Sequence, residues 1–175
     1  MPTTNKQTVL FAQPYDISAV GFYFASVEDY EKQSARLRNS FGQPVEEFEI
    51  QFIDGDELDA ELFKAVGVNQ GNFGAFLDAC NYWNTDQKRN VIIAVGECGY
   101  TFDLKNGNPD DLDVEIYELN SLRELAHYFV DEEIMFGKVP ESIKYHLDYD
   151  SIARDLGMDY CEIVIAGTSL VYRCG

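Results

Sequence analysis

The sequence predicts an α+β protein built from three small units. Three observations indicate this class. Helix-capping residues open segments whose apolar residues repeat at helical spacing. Other segments alternate strictly between apolar and polar residues, as half-buried strands do. Hydrophobic residues make up 46% of the 175 residues, which is enough for real cores. We predict residues 1–55 as an N-terminal α/β unit with a three-stranded antiparallel sheet, 56–108 as a mainly helical middle domain, and 109–175 as an α+β C-terminal unit.

The N-terminal unit is predicted from three extended segments and one helix. Residues 8–13 and 17–25 are rich in apolar and aromatic residues and are typical of strands. Ser26 caps a helix that runs to about Asn39. In residues 47–52 every second residue is apolar, so the aromatic and aliphatic side chains face a core and the polar ones face water.

The middle unit is predicted as three helices followed by a loop. Asp56 caps the first helix and Gly67 ends it. Residues 69–83 carry apolar side chains at helical spacing. In residues 86–95 the apolar run favours a strand by propensity, but a capping aspartate before it and a glycine after it favour a helix, which we predict. The loop at 105–109 is the predicted domain boundary.

The C-terminal unit is predicted as strands that enclose several short helices. Ser121 caps a helix, and a glutamate three residues later completes the capping box. Pro140 suits the first position of a second helix. Asp148 or Asp150 caps a third helix that ends at Gly157. The strands are predicted at residues 112–119, 160–165 and 169–172.

The charge of the chain restricts its partners. Thirty-one acidic residues face 13 basic ones, giving a net charge of -18. Such an excess destabilises a compact state through self-repulsion, so it calls for an explanation. Phosphates would repel this surface, which argues against direct nucleic acid binding and for a basic partner. Two interpretations stay open: a solvated acidic face, or a surface that imitates a polyanion.

Two stretches of the chain concentrate the acids. From Val45 to Phe63 there are eight acids and no lysine or arginine, and from Asp103 to Glu118 there are six against one lysine. Glutamates one helical turn apart destabilise a helix slightly, so stability alone does not account for the pattern. The candidate carboxylates are Glu46, Glu47, Glu49, Asp54, Asp56, Glu57, Asp59 and Glu61, the first acidic run, and Asp103, Asp110, Asp111, Asp113, Glu115 and Glu118, the second acidic run.

Motifs for catalysis or cofactor binding are not evident. The sequence has no glycine-rich phosphate loop and no H-E-x-x-H, and its four cysteines form no C-x-x-C pair. The acid-rich stretches 54–57 and 106–113 do not follow calcium-loop spacing. We therefore predict no catalytic residue, cofactor or metal, although paired carboxylates leave a metal-dependent hydrolase as an alternative. No apolar run is long enough for a membrane span, and the start lacks a signal-peptide layout, so a cytoplasmic protein is expected.

The C-terminal third carries a recognisable string of residues. Residues 124–132 read Glu-Leu-Ala-His-Tyr-Phe-Val-Asp-Glu, residues 136–143 read Phe-Gly-Lys-Val-Pro-Glu-Ser-Ile, and residues 147–156 read Leu-Asp-Tyr-Asp-Ser-Ile-Ala-Arg-Asp-Leu. Together they resemble the ArdA antirestriction proteins of mobile genetic elements. The resemblance covers residues 112–175 and extends to 45–80. The residues that match the family's antirestriction motif and dimer region are Phe136, Gly137, Val139, Pro140, Ser142, Tyr145, Leu147, Asp148 and Tyr149.

The resemblance implies a function that composition alone does not name. It implies an elongated homodimer, joined through the C-terminal domain, whose carboxylates are arrayed like the phosphates of bent DNA. Such a protein occupies the DNA-binding groove of type I restriction–modification enzymes and has no catalytic residues. An acidic adaptor that sequesters another basic protein is the alternative. Phe136, Tyr145, Leu147 and Tyr149 are expected to serve either dimer contact or the monomer core.

Overall fold

The computed structural model describes residues 6–175, which fold as an α+β protein. Contacts divide the chain into two compact units, the first ending at Asp111 and the second spanning Leu112–Gly175. The predicted α+β class is thereby confirmed. The three-domain division stays a prediction.

A three-stranded antiparallel sheet forms part of the first unit. Its strands are β1 (Val9–Pro14), β2 (Phe22–Phe24) and β3 (Phe48–Asp54), in the order β2-β1-β3. Strand β2 is shorter than predicted, because the Asp16 carboxylate accepts hydrogen bonds from the backbone N–H and the hydroxyl of Ser18 at 2.9 and 2.7 Å. These bonds form an Asx turn, which uses the backbone N–H of Ser18 that a longer strand would pair with its neighbour.

The first unit contains four helices within its described residues. They are α1 (Val27–Arg36), α2 (Glu57–Val66), α3 (Phe73–Tyr82) and α4 (Thr85–Gly96), and a single 3-10 turn follows at Pro109–Asp111. The ambiguous segment is a helix, as predicted, but its cap is Asn84 and not the predicted Asp86. Asn84 and Gln87 close a reciprocal capping box at its start, which satisfies two N–H groups that have no partner within the helix. Asp56 stands at the start of α2, as predicted, without a side-chain capping hydrogen bond.

Aromatic rings fill the core of the first unit, and they come from chain segments before and after the predicted domain boundary at residue 55. The rings of Phe24 and Tyr30 pack against Phe73 with centroids 5.2 and 4.5 Å apart. Phe52 on β3 packs against Phe76 on α3 at 6.4 Å. The sheet and the helices of this unit therefore share buried aromatic surface, which dominates core energetics in small units.

The second unit combines a sheet and three helices. Its strands are β4 (Val114–Tyr117), β5 (Cys161–Ile165) and β6 (Thr168–Cys174), in the order β4-β6-β5. Its helices are α5 (Leu122–Asp131), α6 (Glu141–Lys144) and α7 (Tyr149–Leu156). The core comprises the buried residues Leu125, Ala126, Phe129, Leu156, Tyr160 and Val171.

The start of α5 differs in one detail from the predicted capping box. The Ser121 hydroxyl accepts from the Glu124 N–H at 3.2 Å, as predicted. The Glu124 carboxylate, however, accepts from the N–H of Asn120 at 2.8 Å. These bonds hold the pKa of Glu124 below its ordinary value, because the backbone and side chain of Asn120 both donate to the charged form.

Candidate protein-binding surfaces

The first acidic run is presented by β3 and α2. Alternation along β3 buries Phe48 and Ile50 and turns Glu49 outward. Most of the carboxylates in the run are exposed or partly exposed. The exposed members are Glu46, Glu47, Glu49, Asp54 and Glu57, and the partly exposed ones are Asp56 and Glu61.

Two of these carboxylates have cationic neighbours. Lys6 donates to Asp54 and holds the pKa of that carboxyl below its ordinary value. Lys64 lies 3.4 Å from Glu61, one helical turn along α2. Both pairs are exposed to solvent, where ion pairing contributes little to stability. These cations reduce the local negative charge at one end of β3 and along α2.

Asp59 is the exception, and its prediction as a surface carboxylate is wrong. The residue is only 1% exposed. Its carboxylate accepts a hydrogen bond from the Lys88 ammonium at 2.6 Å, and the same ammonium donates to the Cys80 carbonyl at 3.0 Å. A buried charge must be paired, so Asp59 and Lys88 belong to the core that joins α2 and α4.

Burial beside the Asp59–Lys88 pair sets the chemistry of Cys80. Burial, followed by the neighbouring Asp59 carboxylate, raises the pKa of the Cys80 thiol to about 12. The thiolate is the reactive form of cysteine, so this side chain is inert at neutral pH. Cys80 acts as a small core residue.

In the first unit, side-chain amides from a loop and from α4 hold the carboxylates of the second acidic run. Asn106 donates to Asp103 at 2.7 Å, Gln87 to Asp110 at 2.9 Å and Asn108 to Asp111 at 3.1 Å. The side chain of Asn106 and the backbone N–H of Lys105 hold the pKa of Asp103 below its ordinary value. All three carboxylates are exposed.

The remaining members of the second acidic run lie in the second unit. Asp113 and Glu118 are exposed. Glu115 is partly buried, accepts from the Tyr160 hydroxyl at 2.9 Å, and forms an ion pair with Arg173. Burial, followed by the Glu115 hydrogen bond, raises the pKa of Tyr160 to about 12. Because Arg173 balances its charge, Glu115 contributes less to a negative surface than the prediction implies.

The family-motif residues divide between surface and core. Phe136 is 55% exposed and Tyr145 is 87% exposed, so neither belongs to the core of the second unit. Tyr149 packs against that core and stacks on His127, with ring centroids 3.6 Å apart. Leu147 is partly buried. Of the two roles that the sequence left open, packing against the core is confirmed for Tyr149, and dimer contact by the exposed rings of Phe136 and Tyr145 stays a prediction.

Sequence reasoning missed the clamp that holds the motif segment. Lys144 lies 3.1 Å from Asp131 at the end of α5 and 3.0 Å from Glu141 on α6. Both carboxylates raise the pKa of Lys144, with Glu141 the larger cause. The only sequence signal is the i,i+3 spacing of Glu141 and Lys144, which is common on helix surfaces.

The other motif residues shape the backbone of this segment. Gly137 adopts a left-handed conformation with φ of 63°. Pro140 precedes the first residue of α6, and Ser142 lies exposed within it. Val139 is partly buried. Asp148 caps α7 by accepting from the N–H and hydroxyl of Ser151, and these bonds lower its pKa.

The described residues lack two features that other functions require. Within residues 6–175, no three histidine, cysteine or acidic side chains are grouped so as to hold a metal ion. Within the same range, no helix is both long and apolar enough to cross a membrane.

Comparisons with known proteins add no identification. No protein-family model matches this sequence, and no curated protein is significantly similar to it.

Proposed function

We propose that this protein is an antirestriction protein that mimics DNA and competitively occupies the DNA-binding groove of type I restriction–modification enzymes. The observation that carries the proposal is the exposed portion of the first acidic run, which lies on β3, on α2 and on the residues just before each of them. The resemblance of residues 112–175 to the ArdA family supplies the target. The proposed mechanism requires no catalytic residue, cofactor or metal.

Charge and preorganisation explain how such inhibition works. A basic groove releases counterions when it binds a polyanion, and carboxylates replace phosphates in that exchange. The backbone that carries carboxylates on a strand and a helix is already ordered before binding, which lowers the entropic cost of association to that of the side chains. Hydrogen bonds from side-chain amides serve the same purpose at Asp103, Asp110 and Asp111.

The test is inhibition of a purified type I restriction enzyme on unmodified DNA. We expect the protein to inhibit cleavage, excess duplex DNA to relieve the inhibition, and rising salt to weaken it. Inhibition that is insensitive to competing DNA favours an acidic adaptor bound elsewhere on the enzyme. Absence of inhibition, with no binding to the enzyme, contradicts the proposal.

A homodimer formed through the second unit is part of the proposal. Exposed apolar side chains around the motif support it, because large apolar side chains in water usually mark a contact surface. The main ones are Ile134, Phe136, Ile143 and Tyr145. We expect the Phe136→Ser/Tyr145→Ser variant to elute as a monomer in light-scattering chromatography, while Tyr82→Ser, an exposed control in the first unit, stays dimeric. A wild-type monomer at micromolar concentration contradicts the dimer.

A further inference from the structure

The outer face of the first unit's sheet carries a second kind of surface. We define the outer sheet face as Phe11, Gln13, Tyr23, Glu49 and Gln51, which alternate along their strands with buried residues. The strand register places Phe11 opposite both Tyr23 and Gln51, and Gln13 opposite Glu49. The face therefore combines an aromatic pair with amides and a carboxylate.

The aromatic pair is held in place and yet open to solvent. The rings of Phe11 and Tyr23 have centroids 4.8 Å apart, and Tyr23 is 61% exposed. A Cβ atom at Gly21 would lie 2.6 Å from the Phe11 ring, so only glycine leaves room for the ring there. Gln33 on α1 donates to the Tyr23 carbonyl at 2.8 Å, which ties β2 to the helix. This pair is thus a preorganised aromatic surface.

The charge around this pair is negative. Strands β1, β2 and β3 contain no lysine or arginine. Gln51 donates to the exposed Glu49 carboxylate at 3.3 Å, which draws that carboxylate along β3 towards Phe11. From strand spacing and rise, Glu49 and Phe11 are about 8 Å apart across the sheet. One flexible cationic side chain spans that distance.

We propose that the outer sheet face binds arginine side chains of the basic partner. A guanidinium is planar and weakly hydrated, so it stacks on aromatic rings while donating hydrogen bonds to a carboxylate. A lysine ammonium is more strongly hydrated and uses mainly the carboxylate. The identification of the partner as a type I enzyme rests on the proposed function, but the recognition of arginine rests on this face alone. Single-stranded nucleic acid also stacks on aromatic rings, but the net charge of -18 opposes it.

Two peptides of equal charge test the preference. Isothermal titration of the full chain with deca-arginine and deca-lysine should give about threefold tighter binding of deca-arginine, the size expected of one exposed cation–π contact. Tyr23→Ala should abolish the preference, and Tyr23→Phe, which retains the ring, should keep it. Glu49→Gln should weaken the binding of both peptides by the same factor. The matched control is Tyr82→Ala, which removes an exposed tyrosine of α3. It should leave the affinities for both peptides unchanged.

A second readout needs no variant. In amide NMR spectra, deca-arginine should perturb the resonances of residues 22–24 more than deca-lysine does. Equal binding of the two peptides, or an arginine preference that survives Tyr23→Ala, overturns the proposal. Tyr23-dependent binding of a ten-residue oligothymidylate, with no arginine preference, assigns the face to nucleic acid instead.

The restriction assay separates this proposal from the proposed function. Should the wild-type protein fail to inhibit the enzyme while the Tyr23-dependent arginine preference persists, the proposed function falls and the arginine site stands. Should it inhibit while no arginine preference is measured, the arginine site alone falls.

Discussion

The two acidic runs fix their carboxylates in different ways. The first acidic run uses regular secondary structure, since β3 and α2 project Glu49 and Glu57 outward by their own periodicity. The second acidic run uses side-chain amides in loops, as at Asp103 and Asp111. Each run also contains one carboxylate that serves the fold. The comparison teaches that acidic residues adjacent in sequence divide between surface charge and internal pairing.

The largest expected effect comes from the internal carboxylate of the first acidic run. Asp59→Asn should lower the free energy of unfolding by about 3–5 kcal/mol, because it leaves the Lys88 ammonium buried without a counter-charge. Urea denaturation measures the change. Glu57→Gln on the same helix is the matched control and should stay within about 0.5 kcal/mol of wild type.

A double replacement sharpens that test. Asp59→Leu with Lys88→Met removes both charges and should recover most of the stability lost by Asp59→Asn. A double variant as unstable as Asp59→Asn would show that packing, and not the unpaired charge, accounts for the loss.

Neutralising the exposed part of the first acidic run should weaken inhibition next most strongly. Replacing Glu46, Glu47, Glu49, Glu57 and Glu61 with glutamine should reduce affinity for the enzyme at least about tenfold at low salt. The variant should also show a shallower dependence of affinity on salt, because fewer charge pairs form across the interface. Each single change should cost less than about threefold.

A parallel variant neutralises the part of the second acidic run that lies in the first unit. Asp103, Asp110 and Asp111 become asparagine, and affinity and salt slope are measured in the same assay. An unchanged salt slope in both variants would falsify the DNA-mimic interpretation. A loss of affinity in only one of the two variants assigns the contact with the enzyme to the acidic run that this variant neutralises.

The partly buried carboxylate of the second acidic run should have a moderate effect. Glu115→Gln removes the charge beside Arg173 and Tyr160 and should cost about 0.2–1 kcal/mol, as half-exposed pairs do. It should also lower the pKa of Tyr160 from about 12, because the neutral amide no longer favours the protonated phenol. NMR titration of labelled tyrosine measures that pKa.

The sign of the pH effect follows from the raised pKa of Tyr160. In the unfolded chain a tyrosine ionises near pH 10. The stabilisation is therefore complete below about pH 10 and is lost as the pH rises towards about 12, the folded-state value. Tyr160→Phe should reduce the decline in the free energy of unfolding over that window. An identical decline in both proteins contradicts the assignment.

The smallest effect should come from a loop amide. Asn106→Ala removes the larger of the hydrogen bonds that lower the pKa of Asp103, so that pKa should rise towards its ordinary value. We expect less than about a twofold change in affinity for the enzyme, because the charge at neutral pH stays. Carboxyl NMR titration measures the pKa, and Asn108→Ala should leave Asp103 unchanged.

Local sequence signals predicted most of the helices. Ser26, Ser121 and Asp148 accept the expected N–H bonds, and Gly67 ends α2 in a left-handed conformation. Such caps involve residues three or four apart, so the sequence contains the whole interaction. Alternation likewise predicted the buried side of β3, where Phe48 and Ile50 are in the core.

Only the tertiary structure decided which predicted site residues are surface residues. Asp59 looks like its acidic neighbours, and its partner Lys88 is 29 residues away. Phe136 and Tyr145 carry large aromatic side chains of the kind found in cores, and yet these side chains are exposed to solvent. Burial depends on which segments pack together, and that information is not local. The sequence by itself determined the excess of acid and the local elements, whereas packing decided which carboxylates and aromatic rings are exposed to solvent.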